Sequence, residues 1–149
     1  MINDNLKLRG DVALVLKDKD GNIKETREIN NLVVTAGLTF ICSRMAGTSA
    51  GVMSHMALGS GTTAAAAGQT DLVSILGSRE ALDSTSASAN TITFISSFEA
   101  GEGTGSVTEC GCFNAASSGT MLARTVFPVV TKQADDTMSV TWTITLSAS

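Results

Sequence analysis

The chain has 149 residues, of which 43% are hydrophobic and only 16% are charged. This length fits a single domain that can bury a core without disulfides or a metal. Fourteen acidic and ten basic residues give a net charge of −4, which argues against nucleic acid as a partner because phosphate binding needs clustered Lys and Arg.

Because few residues are charged, much of the surface must consist of Ser, Thr, Ala and Gly. These short side chains lose little entropy when a neighbour packs on them, so the composition favours a protein that works in contact with others. No apolar run approaches the roughly eighteen residues of a membrane span, and Met1–Asn5 lacks the features of a signal peptide. We therefore expect a soluble protein, made in the cytoplasm, with no membrane partner.

Residues 11–31 predict an N-terminal β-hairpin. The apolar run 12–16 is followed by Asp20-Gly21, a pair that tolerates the positive φ angles of a type I′ turn, and then by the alternating segment 22–29. Because the charges fall on the second strand, we expect that strand at a sheet edge. We treat residues 1–31 as an N-terminal arm beside a main sandwich of 32–149. Deletion of residues 1–30 is expected to abolish attachment to a partner while leaving a folded β domain.

One helix is expected near residues 35–46. Thr35 is a plausible N-cap and Gly47 a terminator. Its predicted buried face consists of Leu38, Ile41, Cys42 and Met45. A second short helix, capped by Thr70 or Asp71, is expected to end at Leu76.

The rest of the chain predicts strands at 53–58, 91–98, 106–113 and 121–130. In the final strand, the apolar residues Met138, Val140, Trp142, Ile144 and Leu146 alternate with Thr and Ser. Strand-sized segments at this spacing predict an all-β, mainly antiparallel fold, a β-sandwich of jelly-roll type, in one domain covering residues 1–149.

The two glycine-rich segments do not match nucleotide-binding motifs. Residues 59–63 lack the Lys of a P-loop and the third glycine of a Rossmann turn. Residues 101–105 carry three glycines beside Glu99 and Glu102, which would repel a phosphate, so we interpret them as a flexible hairpin connection.

The sequence gives little support for a catalytic or metal-binding site. His55 is the single histidine, and the sequence contains no Gly-x-Ser-x-Gly motif that would support a Ser-His-Asp triad. A zinc site would need about four ligands, of which histidine can supply only this one. The carboxylates of Asp135 and Asp136 are adjacent and are better explained as a turn. We expect no catalytic residue, no metal and no cofactor.

Cys42, Cys110 and Cys112 are expected to be reduced thiols. Cys110 and Cys112 share one strand face and are interpreted as small core residues rather than a redox pair. Arg124 lies inside a strand, so we expect it to need a carboxylate or carbonyl partner in its own subunit or a neighbouring one.

Two stretches resemble the small structural proteins of tailed bacteriophages and prophages. They run from Met56 through Gly59-Ser60-Gly61 to Arg79-Glu80, and from Glu109-Cys110-Gly111-Cys112 through residues 121–127 to 141–145. Residues 31–37 fit the same pattern. The resemblance implies a virion component, made in the bacterial host cytoplasm, without catalytic residues.

A compact, weakly charged β domain without repeats or a coiled coil suits a symmetric lattice better than a long fibre. We therefore expect a capsid decoration (cement) protein on the capsid exterior that binds between major capsid protein subunits, itself a homo-dimer or homo-trimer. The alternatives are a tail, baseplate or short-fibre component, whose partners would be neighbouring tail proteins, and a β-sandwich enzyme or carbohydrate-binding module. Lack of tyrosine and a single Trp disfavour a sugar-stacking platform.

Overall fold

The computed structural model describes residues 5–48 and 50–148, and this part of the chain forms ten strands and one helix. The strands are β1 (Leu6–Lys17), β2 (Ile23–Asn30), β3 (Leu32–Val33), β4 (His55–Gly59), β5 (Glu80–Ala81), β6 (Ser84–Ser88), β7 (Thr91–Phe98), β8 (Gly105–Phe113), β9 (Met121–Lys132) and β10 (Thr137–Ala148), and the helix is α1 (Thr35–Met45).

The strands form two five-stranded antiparallel sheets. Sheet A has the order β2-β1-β10-β7-β6 and sheet B the order β3-β9-β8-β4-β5. The all-β, sandwich-like fold expected from the sequence is therefore confirmed, as are the single helix near residues 35–46 and the N-terminal hairpin.

The core lies between the two sheets and follows the period-two pattern of the strands. Sheet A contributes the buried side chains Val12, Leu14, Leu16, Phe94, Phe98, Met138, Val140, Trp142 and Ile144. Sheet B contributes Met56, Leu58, Val107, Cys110, Cys112, Ala123, Phe127 and Val130. The Thr and Ser residues between the apolar positions of β10 point to the opposite, outer face.

The hairpin is a structural part of sheet A rather than an arm. β1 lies between β2 and β10 and pairs with β10 from Leu6 to Lys17, while β2 is the edge strand that its charges predicted. Because β1 is an interior strand and supplies part of the core, we now expect deletion of residues 1–30 to disrupt the fold rather than to leave a folded domain.

The hairpin turn also differs from the prediction. Asp18 accepts hydrogen bonds from the N–H groups of Asp20 and Asn22 through Oδ1, and its carbonyl accepts from the N–H of Gly21 at 3.1 Å. Only Gly21 in this turn has a positive φ, at 84°, whereas a type I′ turn needs two such residues. The turn is thus a longer loop organised by the Asp18 carboxylate, followed by a left-handed glycine.

Helix α1 ends at Met45 with Gly47 beyond it, as predicted, but it begins differently and buries another face. Its N-cap is Val34, which gives no side-chain cap. Leu38 and Met45 are 46% and 80% exposed and Cys42 is exposed, whereas Gly37 is buried. Of the four residues predicted to be buried, only Ile41 packs against the core, because the helix approaches sheet B through Gly37, a residue that apolar spacing does not reveal.

Gly37 sets the approach of α1 to sheet B. A Cβ atom at this position would overlap the backbone carbonyl of Leu122 in β9. We predict that Gly37→Ala lowers the free energy of unfolding by about 1–3 kcal/mol, as expected for overpacking, despite the better helix propensity of alanine.

The matched control for this prediction is Thr39→Ala, at an exposed position of the same helix. Helix propensity alone predicts that both alanines stabilise the protein slightly. Chemical denaturation of the two variants separates the explanations, and equal effects of the two substitutions would show that close packing at Gly37 is unimportant.

Three further segments depart from the sequence expectations. Residues 70–76 form no helix, and residues 60–79 run as a long irregular loop. Residues 101–105 do not connect a hairpin, because β7 belongs to sheet A and β8 to sheet B; this connection crosses between sheets. Strand β6 was not predicted, since its Ser, Thr and Ala residues show no apolar alternation.

Candidate functional site

A fully buried ion pair lies on the outer side of sheet B. Glu109 in β8 and Arg124 in β9 are both 0% exposed. Their side chains point away from the core, since Glu109 alternates with the core residue Cys110. The Nε and Nη2 atoms of Arg124 lie 2.9 and 2.8 Å from Oε2 of Glu109. The partner expected for Arg124 is therefore present in the same subunit.

The loop 60–79 covers this pair and binds both of its members. Glu109 Oε1 accepts hydrogen bonds from the N–H groups of Gly61 and Ser74, and Oε2 accepts from that of Val73. Nη1 of Arg124 donates to the carbonyl of Thr63 at 2.9 Å and to Oε1 of Gln69 at 3.0 Å. The ion pair thus fastens the loop to the sheet at several points.

The glycines of residues 59–63 have a clear structural role. A Cβ atom on Gly61 would lie 2.6 Å from Oε1 of Glu109, and one on Gly59 would lie 2.5 Å from the same oxygen. The glycine-rich segment is therefore an anion-binding turn, but its anion is an internal carboxylate rather than a phosphate. Sequence reasoning missed Glu109; the one available signal was an acidic residue inside an otherwise small and apolar strand.

The environment of Glu109 keeps it ionised. Burial raises the pKa of this carboxyl, but the N–H groups of Ser74 and Val73 and the guanidinium of Arg124 outweigh burial, so that the pKa lies below its ordinary value. Both oxygens are occupied and neither is accessible to solvent. The ion pair therefore stabilises the fold and is not positioned to transfer a proton.

A second buried network closes the turn between β9 and β10. Lys132, which is 1% exposed, donates through Nζ to the carbonyl oxygens of Glu99 and Asp136. Asp136 Oδ2 accepts from Nζ of Lys24 at 2.7 Å and from the N–H of Gln133. The hydrogen bond from Lys24 holds the pKa of Asp136 below its usual range, and burial lowers that of Lys132. The prediction that Asp135 and Asp136 mark a turn is confirmed.

The remaining candidates for chemistry are not assembled into a reactive site. His55 Nδ1 hydrogen-bonds the hydroxyl of its neighbour Ser54 at 2.8 Å, and no carboxylate in residues 5–48 and 50–148 hydrogen-bonds His55. Cys110 and Cys112 are core residues as predicted; burial raises the pKa of Cys112 to about 12 and raises that of Cys110 as well. In the same described ranges, no cluster of three His, Cys, Asp or Glu could hold a metal ion.

The outer face of sheet A is lined mainly by Thr and Ser side chains over β10, β7 and β6. We call it the Thr/Ser face. Strand register places the following outward residues side by side: Ala13 and Val15 of β1; Ser139, Thr141, Thr143 and Thr145 of β10; Thr91, Thr93, Ile95 and Ser97 of β7; Ser84, Ser86 and Ser88 of β6. Charged residues adjoin it on the β1 and β2 side: Arg9 and Asp11 lie opposite Thr145 and Thr143 of β10, Glu28 lies opposite Ala13, and Lys17 ends β1. No other element of the described chain covers this face.

An apolar cleft lies between α1 and the inner side of sheet A. Its volume is about 340 Å³, and its lining contains one charged residue, Arg44. The lining residues are Phe40, Ile41 and Arg44 of α1, Val52 and Met53, Thr85 of β6, Ile92 and Phe94 of β7, Leu122 of β9, and Ile144 and Leu146 of β10. The cleft therefore reaches the edge strand β6.

Comparison with known proteins gives no relative. No protein-family model, no curated protein and no solved structure matches this chain. Within the described residues, no helix has the length and apolarity to cross a membrane.

Proposed function

We propose that this chain is a structural protein of a bacteriophage virion, specifically a capsid decoration protein that binds between major capsid protein subunits and is not an enzyme. The proposal rests on the resemblance of residues 56–80 and 109–145 to phage structural proteins. The observation that carries it is the Thr/Ser face: a broad, uncovered sheet surface made mainly of short, uncharged side chains, with charged residues on its β1 and β2 side, on a chain of net charge −4.

The Thr/Ser face has properties suited to docking on a repeated lattice. Its short side chains lose little conformational entropy on contact, and β-branched threonines are already restricted at χ1. The strands beneath it are fixed by the core of the sandwich. Several such small contacts, made by many copies, can give a high total affinity without any single strong site.

The use of the buried charges supports a structural role over catalysis. Glu109 and Arg124 fasten a loop, and Lys132 and Asp136 close a turn. These groups stabilise the scaffold that presents the outer faces. A virion protein that must hold its shape over long periods gains from such fixed loops.

The copy number of the chain in separated phage particles tests the proposal. A decoration protein is expected in hundreds of copies and stays with DNA-filled heads after the tails are removed. Recovery of about a dozen copies or fewer, in the tail fraction, would instead establish a tail, baseplate or short-fibre component. Turnover of a small molecule or binding of a glycan by the isolated chain would contradict both.

A charge on the Thr/Ser face tests whether this surface makes the attachment. Thr141 lies at its centre, between Ala13 and Ile95. We predict that Thr141→Glu lowers occupancy on purified heads at least tenfold, which corresponds to about 1.4 kcal/mol of lost binding free energy. Quantitative mass spectrometry of particles incubated with the variant measures the occupancy.

The matched control is Ser117→Glu, which adds the same charge to the exposed loop after β8. Its occupancy is expected to equal that of the unmodified chain. Equal binding of both variants would mean that the Thr/Ser face does not contact the capsid.

A further inference from the structure

The strand edges of the two sheets differ in how they are protected against pairing with another chain. Edge strand β2 carries Lys24, Glu25, Arg27 and Glu28, and charged residues discourage edge pairing. In sheet B, β3 and β5 are only two residues long. Beyond β3, the open edge of β9 contains Pro128, which has no N–H to donate.

Strand β6 has none of these protections. It is five residues long, consists of Ser, Thr and Ala, and pairs only with β7. Within the described residues, no hydrogen bond reaches the backbone of Ser84–Ser88 from the side opposite β7. Its outer edge therefore offers unpaired N–H and C=O groups to a further strand.

The lack of charge around β6 removes the electrostatic obstacle to a second copy of this chain at that edge. Two copies with a net charge of −4 repel each other wherever charged surfaces meet. The segment from Ser84 to Phe98, which forms β6 and β7, contains no charged residue at all. Two copies can meet along it without placing like charges opposite each other.

The sequence of β6 is compatible with antiparallel pairing to itself. With Ser86 opposite Ser86 of the second copy, Ser84 meets Ser88 and Thr85 meets Ala87, so small residues face small residues at every position. Such a contact is isologous and closed, as two-fold dimers require. It would join the two A sheets into one continuous sheet and extend the Thr/Ser face across both copies.

The apolar cleft supplies contact area that a five-residue strand lacks. A standard interface buries roughly 800 Å² per partner, more than one short strand pair can provide. The cleft reaches β6 at Thr85, and Val52 in its lining is 61% exposed. A second copy bound along β6 lies beside this apolar surface and can cover part of it.

We infer that the chain forms a two-fold dimer by antiparallel pairing of β6 with β6 of a second copy. This inference concerns the purified chain and holds for any virion component, so its failure is separate from failure of the proposed capsid role.

Sedimentation equilibrium of the full chain tests the dimer. At about 100 μM, well above a micromolar dissociation constant, the unmodified chain is expected to be dimeric. Ser86→Lys places two like charges opposite each other and should weaken dimerisation at least a hundredfold, giving a monomer with an unchanged circular dichroism spectrum. The control Thr26→Lys, on the outer face of edge strand β2, should remain dimeric.

Disulfide cross-linking tests the register independently. In a Cys42→Ser background, which removes the exposed thiol, Ser86→Cys should form a covalent dimer on mild oxidation, while Thr26→Cys should not. The buried Cys110 and Cys112 remain unreactive in both variants. A chain that stays monomeric at about 100 μM, or a dimer that withstands Ser86→Lys and gives no Ser86→Cys cross-link, would overturn the inference.

Discussion

Replacing Arg124 with methionine is expected to lower the free energy of unfolding by about 3–5 kcal/mol. The substitution replaces the unbranched stem of the arginine with an apolar chain of similar shape but removes the guanidinium, so that the fully buried carboxylate of Glu109 is left without its counterion. It also removes the donor for the carbonyl of Thr63 and for Gln69. Since domains have only about 5–15 kcal/mol of stability in total, this single change should bring the protein close to unfolding at moderate temperature.

The matched control is Arg9→Met, because Arg9 also pairs with a carboxylate, that of Asp11, but at the surface. Its side chain is 73% exposed and that of Asp11 is 40% exposed. Exposed pairs contribute about 0–1 kcal/mol, so Arg9→Met should change the midpoint of urea unfolding only slightly. Similar losses in the two variants would contradict a special role for the buried pair.

The pH dependence of the Arg124→Met effect provides a second measurement. The pKa of Glu109 is lowered in the folded chain, so its ionised form contributes stability above the unfolded-state pKa, and this contribution is lost as pH falls through the lower folded value. The difference in stability between the unmodified chain and Arg124→Met should therefore be largest at neutral pH. It should shrink as the pH falls from the ordinary pKa of an unfolded glutamate, about 4.3, through the lower pKa of Glu109 in the folded chain. A constant difference down to pH 2 would show that the lost charge pairing is not the cause.

Removing the hairpin, residues 1–30, is expected to abolish cooperative folding. β1 is an interior strand of sheet A, and its loss exposes the full length of β10 and the core side of the sheet. Its residues Val12, Leu14 and Leu16 are at most 2% exposed. At about 1.5–3 kcal/mol for each buried side chain, these three alone account for a large part of the stability of a typical domain.

Differential scanning calorimetry of the truncated chain checks this expectation, and no cooperative transition should be seen. A milder variant, Leu14→Ala, should lose about 2–5 kcal/mol while still folding, whereas Thr26→Ala at an exposed position of β2 should have little effect. If the truncated chain melts cooperatively within a few degrees of the full chain, β1 is dispensable for the sandwich.

Local sequence patterns predicted those elements whose residues alternate between core and surface. β10 is the clearest case: Met138, Val140, Trp142 and Ile144 are buried, and the intervening Thr and Ser face outward. β7 alternates in the same way, whereas β8 and β9, which are buried on both faces over much of their length, were predicted as strand-sized segments between loops rich in Gly and Ser. Period-two alternation is a direct consequence of the pleated backbone and needs no knowledge of neighbouring strands.

The patterns failed where a distant partner decides the local structure. Helix α1 was predicted to bury Leu38 and Met45, but both side chains are exposed. The helix instead approaches sheet B through Gly37, which lies close to the backbone of Leu122. The helix predicted at 70–76 does not form, because its second half pairs with the end of β4: the N–H of Leu76 donates to the carbonyl of Leu58, and the carbonyl of Ser74 accepts from the N–H of Ser60. β6 shows no apolar alternation and becomes a strand by pairing with β7.

The amino-acid sequence by itself determined the class of fold and the need of Arg124 for a partner, because alternation, turn residues and a cation within a strand are local properties. Only the tertiary structure decided that the partner is Glu109, that the glycine-rich segment binds this internal carboxylate, and that β6 is left as an unprotected edge. Each of these depends on which strands lie side by side. Strand order is set by contacts between residues far apart in the chain, and a single sequence carries little trace of them.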